Sequence, residues 1–146
     1  MAGEADALGS LAVRSKAYWG YPPEFLAACR SELSYSSAQI ESPDWLFLVA
    51  EDRSIVIGFC ALERVSAEEF ELSALFVEPA RIAQGIGRAL LDQARCRAAE
   101  LGGQVLRVQS DPHADGFYRA MGGQPTGLRE SGSIPGRYLP TFAIFL

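Results

Sequence analysis

The 146-residue chain has few of the residues that build disulfide frameworks or metal sites. It contains three cysteines, Cys29, Cys60 and Cys96, with no CxxC pair, and a single histidine, His113. An odd number of widely spaced cysteines argues against a disulfide framework, and one imidazole offers little for a zinc site. We therefore expect reduced cysteines, a cytoplasmic location and no bound metal.

Basic residues and long apolar runs are also scarce. The chain has 13 Lys and Arg against 18 Asp and Glu, a formal net charge of -5 at pH 7. Nucleic-acid binders need a basic patch to neutralise phosphates, so this balance argues against a nucleic-acid partner. Apolar runs such as residues 46–50 fall far short of the roughly 20 residues that span a bilayer. The first residues are acidic before they are apolar, the reverse of a secretory signal, so we expect no membrane association.

The hydrophobic content of 49% is enough for the core of one domain covering residues 1–146. Helical composition over residues 5–19 is followed by a second predicted helix that begins at Pro23. Residues 34–44 are polar and predict a loop. The later pattern predicts strands over residues 45–50, 55–62, 70–77, 105–108, 125–129 and 138–145, with helices over 86–101 and from 112 to Gly122. The first of these helices is predicted from one apolar stripe, formed by Ile86, Leu90, Leu91, Ala94, Ala98 and Leu101.

This order of elements predicts an α/β fold. A strand–helix–strand crossover beside an antiparallel hairpin indicates a mixed, mostly antiparallel sheet flanked by helices.

The strongest functional signal lies in residues 71–91, ELSALFVEPARIAQGIGRALL. A strand ends at Val77, and residues 84–88 open a helix with two glycines. Glycines let the backbone approach a ligand, and the free N–H groups of a helix start attract an anion such as phosphate. Two glycines alone fit a helix start without a ligand equally well. The segment does not match a Walker P-loop, because Arg88-Ala89 stands where that motif has Lys-Ser/Thr. It matches a dinucleotide-binding fingerprint only weakly, because Leu90 stands where that motif needs a small residue.

Val77-x-Pro79 followed by Gly85-x-Gly87 resembles the acyl-CoA loop of the GCN5-related N-acetyltransferases, the GNAT superfamily. The resemblance implies acetyl-CoA as co-substrate, with the main chain of Phe76 and Val77 on its pantetheine arm. It implies that the pyrophosphate is held by Ala83, Gln84, Gly85, Ile86, Gly87 and Arg88. The Arg or Gln that the family usually has before the first glycine is Ile82 here, so Arg81 or Arg88 is the candidate for the missing charge.

Residues 110–123, SDPHADGFYRAMGG, resemble the second motif of the family. Asp111 stands where the family has Asn, and the resemblance implies cofactor contacts for Asp111 and Phe117. It also implies that Tyr118 is the acid that protonates the departing thiolate, a role that suits a phenol with a pKa near 10. A helix N-cap explains Asp111 without any ligand, and core packing is the alternative for Tyr118. His113 is expected at the surface.

Glu71 is the candidate general base. It precedes Gly85 by fourteen residues, the place where histone-type members of the superfamily carry a glutamate base. The period of a strand puts Glu71 and Ser73 on one face. The alternative is a solvated glutamate at a strand start.

Residues 14–33 and 131–140 resemble a poorly characterised, bacterial-type branch of the superfamily. That resemblance implies an acceptor site with Trp19, Tyr21, Ser133 and Arg137. Helix packing explains the two aromatic residues equally well, and a tight turn explains the Gly/Pro loop. The acceptor is expected to be the amine of a small molecule or peptide.

The sequence therefore predicts transfer of acetyl from acetyl-CoA to a primary amine by direct attack. The alternative is an acyl-CoA-binding regulatory module without turnover. Residues 1–11 carry no strand signal, whereas the family normally begins with a strand, so the start is either shortened or the sheet lacks its first strand. A missing strand exposes the edge of residues 45–50, and the apolar tail 142–146 is a second candidate for pairing, so we expect a homodimer.

Overall fold

The computed structural model describes residues 2–18, 24, 35–82, 84–131 and 134–146. Its helices are α1 (Ala2–Ala17), α2 (Ser37–Glu41), α3 (Ile86–Glu100) and α4 (Asp115–Ala120), with 3₁₀ turns at Pro79–Arg81 and Pro112–Ala114. Its strands are β1 (Trp45–Asp52), β2 (Ile55–Arg64), β3 (Glu69–Val77), β4 (Val105–Gln109), β5 (Gln124–Glu130) and β6 (Tyr138–Phe145). The predicted helix that begins at Pro23 falls almost entirely outside the described residues.

The six strands form one sheet in the order β1-β2-β3-β4-β6-β5. Every neighbouring pair is antiparallel except β3 and β4. These two are parallel because α3 carries the chain back along the sheet between them, as parallel neighbours require. The predicted mixed, mostly antiparallel sheet flanked by helices is confirmed.

Helices cover both faces of the sheet. On one face α1 packs Leu8, Leu11 and Ala12 against Phe59, Ala61 and Ala74. The other face is covered by α3 and α4. Its buried residues are Cys60, Leu62, Phe70, Leu72, Leu90, Leu91, Ala94, Ala98, Leu106, Val108, Tyr118, Met121, Phe142 and Ile144.

The predicted apolar stripe of α3 is confirmed over its central turns. Leu90, Leu91, Ala94 and Ala98 are all buried. The last predicted member, Leu101, is 46% exposed because the helix has already ended there.

The loop predicted for residues 34–44 contains the short helix α2. Its start is a capping box, in which the Gln39 N–H donates to Ser36 Oγ at 3.1 Å and the Ser36 N–H donates to Gln39 Oε1 at 2.9 Å. Two backbone donors are satisfied reciprocally, and this local signal outweighs the polar composition.

The edges of the sheet bear on the expected homodimer. Among the described residues no strand precedes α1, and β1 is an edge strand with β2 as its neighbour. Within the apolar tail, Phe142 and Ala143 are paired with β4 on one side and β5 on the other, whereas Ile144 and Phe145 are paired with β4 alone. Pairing of a second chain, through the tail or through the edge of β1, therefore stays a prediction.

The structure also bears on the cysteines and on membrane-spanning helices. Cys60 is buried, Cys96 is exposed, and both are free thiols. None of the helices in the described ranges has the length and apolar character needed to cross a bilayer.

Candidate active site

Strands β3 and β4 are paired along only half of β3. Their parallel ladder joins residues 69–72 to residues 105–108, whereas β3 continues to Val77. On its other side β3 stays paired with β2, with a register shift that leaves Ser73 as an extra residue. A bulge of this kind bends its strand. The two parallel strands therefore separate and leave a V-shaped gap in the middle of the sheet.

A cavity of about 450 Å³ lies at this gap. One wall is the free part of β3, and the opposite wall is formed by the end of β4 and the turn that follows it. The lining residues of the described chain are Ser15, Lys16, Tyr35, Glu71, Leu72, Ser73, Ala74, Leu75, Phe76, Gln109, Asp111, Ala114, Tyr118, Arg129, Glu130 and Leu139. The two chemical candidates of the sequence analysis, Glu71 and Tyr118, are thus brought to one cavity.

The backbone of β3 presents hydrogen-bonding groups to the gap. The Glu78 N–H donates to the Ile57 carbonyl at 2.8 Å, which sets the alternation along this antiparallel pair. The N–H of Phe76 therefore points toward β2, whereas those of Leu75 and Val77 point toward the gap. This alternation favours Val77 and Leu75 over Phe76 for main-chain contacts with a ligand, while Phe76 lines the cavity.

Helix α3 begins beside the end of β3. Its N-cap, Gly85, has a φ of 81°, and no side chain caps the helix. A Cβ added at Gly85 meets no described atom within 4 Å, and one added at Gly87 lies 3.7 Å from Val77. The N–H groups of Ile86, Gly87 and Arg88 have no helical partner, because the first hydrogen bond of the helix is donated by the next residue. An open helix start of this kind suits an anion such as a pyrophosphate.

The charged and polar neighbours of this helix start differ in how they are held. Arg81 forms an ion pair with Asp52 of β1 at 2.7 Å, so its charge is already engaged. Arg88 and Gln84 are exposed. Arg88 is therefore the better placed of the two arginines to supply the charge that the family motif lacks here. Ala83 lies outside the described residues.

Tyr118 is buried in α4, with 7% of its surface exposed. Its ring packs edge-on against Phe117, with centroids 5.2 Å apart, and tilted against Phe142 at 6.0 Å. Burial raises the pKa of Tyr118 above its ordinary value, and the neighbouring Cys60 thiol and Asp111 carboxylate raise it further. The phenol therefore keeps its proton at neutral pH and lies at the cavity wall, where it can donate that proton.

Asp111 follows β4 and caps the turn Pro112–Ala114. Its Oδ1 accepts a hydrogen bond from the backbone N–H of the exposed His113 at 3.0 Å. The cap therefore serves the 3₁₀ turn, whereas the N-cap of α4 is Ala114, which makes no side-chain bond. Asp111 Oδ2 also lies 3.5 Å from Lys16 Nζ and 3.7 Å from a guanidinium nitrogen of Arg137. Two cations from distant parts of the chain thus meet one carboxylate at the cavity edge.

Glu71 projects from β3 next to the bulge. Its side chain is 34% exposed, and its Oε1 lies 3.4 Å from a guanidinium nitrogen of Arg129 in β5. Glu71 and Ser73 both line the cavity, but so do Leu72 and Ala74, because the bulge at Ser73 interrupts the alternation of faces along β3. The carboxylate is therefore partly exposed, close to the gap and held by one long ion-pair contact.

Several cavity residues were not singled out from the sequence. Ser15 and Lys16 come from the last turn of α1, Tyr35 precedes α2, and Arg129 comes from β5. Ser15 had a usable signal, since it continues the buried stripe of Leu8, Leu11 and Ala12 at helical spacing. The others reach the cavity through long-range packing that local spacing does not encode.

The predicted acceptor residues are only partly tested by this geometry. Trp19, Tyr21 and Ser133 lie outside the described residues. Arg137 contacts Asp111 at the edge of the cavity. The described residues contain no group of three or more His, Cys, Asp or Glu placed to hold a metal ion.

The chain matches a known protein family. A family profile described as "Acetyltransferase (GNAT) domain" matches residues 43–122, which is more than half of the chain. The matched segment runs from just before β1 to just after α4, and therefore contains the first motif, all of the second motif except Gly123, and the strands that form the V-shaped gap.

Solved structures share the fold. A GCN5-related N-acetyltransferase (aminotransferase, class II) from Rhodopseudomonas palustris is 22% identical, with a TM-score of 0.76 over 100% of this chain and 92% of that one. An aminoglycoside 6'-N-acetyltransferase complexed with coenzyme A is 18% identical, with a TM-score of 0.74 over 97% and 89%. The PaiA N-acetyltransferase of Thermoplasma acidophilum, in complex with coenzyme A, is 19% identical, with a TM-score of 0.69 over 97% and 94%. At these identities the likeness concerns the fold.

Proposed function

The chain belongs to the GNAT acetyltransferase family, and we propose that it transfers acetyl from acetyl-CoA to a primary amine of a small molecule or peptide by direct attack. The observation that carries this proposal is the gap between β3 and β4. Tyr118, Glu71 and Leu75 line the cavity at this gap, and the backbone N–H groups of Leu75 and Val77 point away from β2 toward the gap, which supports the proposal. A group transfer between two bound molecules needs this kind of shared, walled space.

The residues present fit the proposed co-substrate. The uncapped start of α3 supplies N–H groups for the pyrophosphate, and Gly85 leaves room for close approach. The free edge of β3 supplies main-chain groups at Leu75 and Val77 for the amide-rich pantetheine arm. Phe117 packs beside Tyr118 and lies close to Gly87, which joins the two parts of the site. Ile82 does not weaken this arrangement, because most of the proposed contacts use the backbone.

Tyr118 is proposed as the general acid. When the amine nitrogen bonds to the acetyl carbon, the carbon–sulfur bond breaks and a thiolate leaves. Tyr118 donates its phenolic proton to that sulfur, and the proton that the nitrogen loses as it becomes an amide restores the phenol, directly or through water. The phenol carries that proton at neutral pH, since its ordinary pKa lies near 10 and burial raises the pKa further.

Glu71 is proposed as the general base. The acceptor enters as an ammonium ion at neutral pH and must lose a proton before its nitrogen can attack. Glu71 accepts that proton, either directly or through a water molecule. The backbone N–H of Val77 is proposed to polarise the thioester carbonyl, since it points away from β2 into the gap between β3 and β4.

We further propose that residues 1–146 act as one catalytic domain, in the cytoplasm, as a homodimer that uses the β1 edge. An exposed strand edge invites pairing with a second chain, and Val49 on β1 is 37% exposed. Light scattering at micromolar concentration should give twice the mass of 15.8 kDa. A monomeric mass contradicts this part of the proposal and leaves the acetyl transfer untouched.

The function is tested by binding followed by turnover. Acetyl-CoA should raise the melting temperature, whereas ATP and NAD should not. Thiol release is then followed with a panel of primary amines. Stabilisation without release from any amine favours the regulatory acyl-CoA-binding module instead, and a failure of every acyl-CoA to stabilise the protein contradicts both.

A further inference from the structure

A second depression of about 340 Å³ adjoins the cavity on the sheet surface. It lies over β3, β4, β5 and β6. Three residues, Glu71, Gln109 and Arg129, line both spaces. The Glu71–Arg129 ion pair therefore stands where the proposed reaction cavity continues into this second space, which no residue role assigned so far explains.

The charged residues of the second depression are held in different ways. Arg107 is clamped by Glu69 through two contacts of 3.1 and 3.3 Å, so its fork of donors is committed. Arg129 contacts Glu71 through a single nitrogen–oxygen pair at 3.4 Å, longer than the 2.7–2.9 Å typical of such bonds. Its side chain is 61% exposed. Arg129 therefore keeps most of its donors available beside the candidate base.

The polar groups around Arg129 suit a small anionic group. Thr126 and Thr141 bring their hydroxyl oxygens to within 2.7 Å of each other on the same face. The described residues that line the second depression include two guanidinium groups, one amide, two hydroxyls and one carboxylate, that of Glu71. A planar guanidinium fork flanked by hydroxyl and amide donors is the chemistry that recognises a carboxylate.

We propose that the acceptor is a small zwitterion, an amine that also carries a carboxylate, in the manner of a free amino acid. Its ammonium group binds Glu71 in the first cavity, and its carboxylate binds Arg129 in the second depression. Binding exchanges one internal ion pair for two with the ligand, so neither Glu71 nor Arg129 is left without a counter-charge. This inference rests on the proposed acetyl transfer, and it names the class of acceptor.

The test compares matched acceptors on matched variants. Glycine, β-alanine, γ-aminobutyrate and lysine are each assayed beside their carboxamides, with putrescine as an amine that lacks a carboxylate. The variants are Arg129→Gln, Arg129→Lys and, as a charge-matched control, Arg97→Gln, an exposed residue of α3 that lines neither space. The measured quantity is the ratio of kcat/KM for each acid to that of its amide, compared between variants, so that the different amine basicities cancel.

We expect Arg129→Gln to lower this ratio about tenfold through the KM of the acid, with the amide nearly unchanged. Arg129→Lys should keep part of the preference, and Arg97→Gln all of it. If Arg129→Gln lowers kcat/KM for the carboxamide as much as for the acid, the substitution has disturbed Glu71, and the proposed contact between Arg129 and the carboxylate is overturned. Turnover of putrescine or the amides with no turnover of any amino acid also overturns it, while acetyl transfer stands. If no acceptor releases thiol and acetyl-CoA fails to stabilise the protein, the proposed function fails together with the inference.

Discussion

Lys16 Nζ lies 3.5 Å from Asp111 Oδ2, so the end of α1 is tied to the end of β4 at the edge of the cavity. Both side chains are mostly buried, with 14% and 23% of their surfaces exposed. Arg137, 18% exposed, approaches the same carboxylate oxygen at 3.7 Å from the segment between β5 and β6. One carboxylate therefore joins three separate parts of the chain around the candidate site.

Replacing this carboxylate should separate its two structural roles. Asp111→Asn keeps an oxygen for the His113 N–H but removes the charge facing Lys16 and Arg137, and we expect it to lower the free energy of unfolding by about 1 kcal/mol. Asp111→Ala also loses the cap and should lose about 2 kcal/mol. Urea unfolding measures both. The control is Asp52→Asn, which breaks an ion pair with Arg81 that is more exposed than the contacts of Asp111 with Lys16 and Arg137. Its free energy of unfolding should fall by less than about 0.5 kcal/mol.

Tyr118→Phe should lower kcat about 100-fold while leaving the KM for acetyl-CoA nearly unchanged. The ring contacts with Phe117 and Phe142 survive in this variant, so its melting temperature should stay close to that of the native protein. Steady-state thiol release measures the effect. Tyr138→Phe, at a residue 58% exposed that does not line the cavity, is the matched control and should be neutral. Native turnover in Tyr118→Phe removes the phenol from the mechanism.

Glu71→Gln should lower kcat/KM for the acceptor most strongly at neutral pH. There the amine enters charged and needs a base to take its proton. As the pH approaches the pKa of the amine, neutral amine becomes available without a base, so the loss of kcat/KM in Glu71→Gln relative to the native protein should become smaller. Glu68→Gln is the control, because Glu68 is exposed and does not line the cavity. A deficit that stays constant from pH 7 to pH 10 assigns Glu71 to binding instead.

Cys60 should make stability fall in alkali. Burial raises the pKa of its thiol from an ordinary value of 9.0 to about 12. A raised pKa in the folded state means that the stabilising contribution is complete below about pH 9 and is lost as the pH rises toward 12. Between pH 9 and pH 11 this group alone should account for about 2 kcal/mol.

The measurement is urea unfolding at several pH values. Cys60→Ala should show a flatter loss over this range than the native protein. Cys96→Ala, at an exposed thiol, should follow the native curve. The Tyr118 phenol, whose folded-state pKa is also raised, adds a loss above about pH 10; burial, the largest cause of that shift, is present in all three proteins, and Cys60→Ala removes only the smaller contribution of the thiol.

Gly85→Ala should destabilise the protein by about 1 kcal/mol and raise the KM for acetyl-CoA. The cost comes from the φ of 81°, since there is space for the Cβ itself. Gly87→Ala serves as its partner, because its Cβ makes ordinary contact with Val77 and needs no unusual backbone conformation. Its melting temperature should be unchanged or higher. Equal stability in the two variants contradicts a backbone requirement at Gly85.

Much of the fold followed from local patterns. The strand ending at Val77, the helix starting after Gly85 and the stripe of Leu90, Leu91 and Ala94 depend on near neighbours in the chain, so their types and approximate bounds were predictable. The helix after Asp111 was predicted as one piece but divides into a 3₁₀ turn and α4. 3₁₀ turns are frequent at the N-termini of α-helices and have nearly the same residue spacing, so the sequence pattern does not separate the two.

The candidate site also has one part that the sequence predicts and another part that depends on tertiary structure. The two glycines of the α3 start, Tyr118 and Glu71 could be proposed from the sequence by itself, since motifs record residue types at fixed local spacings. Their meeting at one cavity depends on the separation of β3 from β4 at Ser73, and neither strand's own sequence specifies it. The contacts of Lys16 with Asp111 and of Arg129 with Glu71 join residues far apart in the chain. Only tertiary structure decides such contacts, because sheet order and helix packing, rather than local spacing, determine which distant side chains become neighbours.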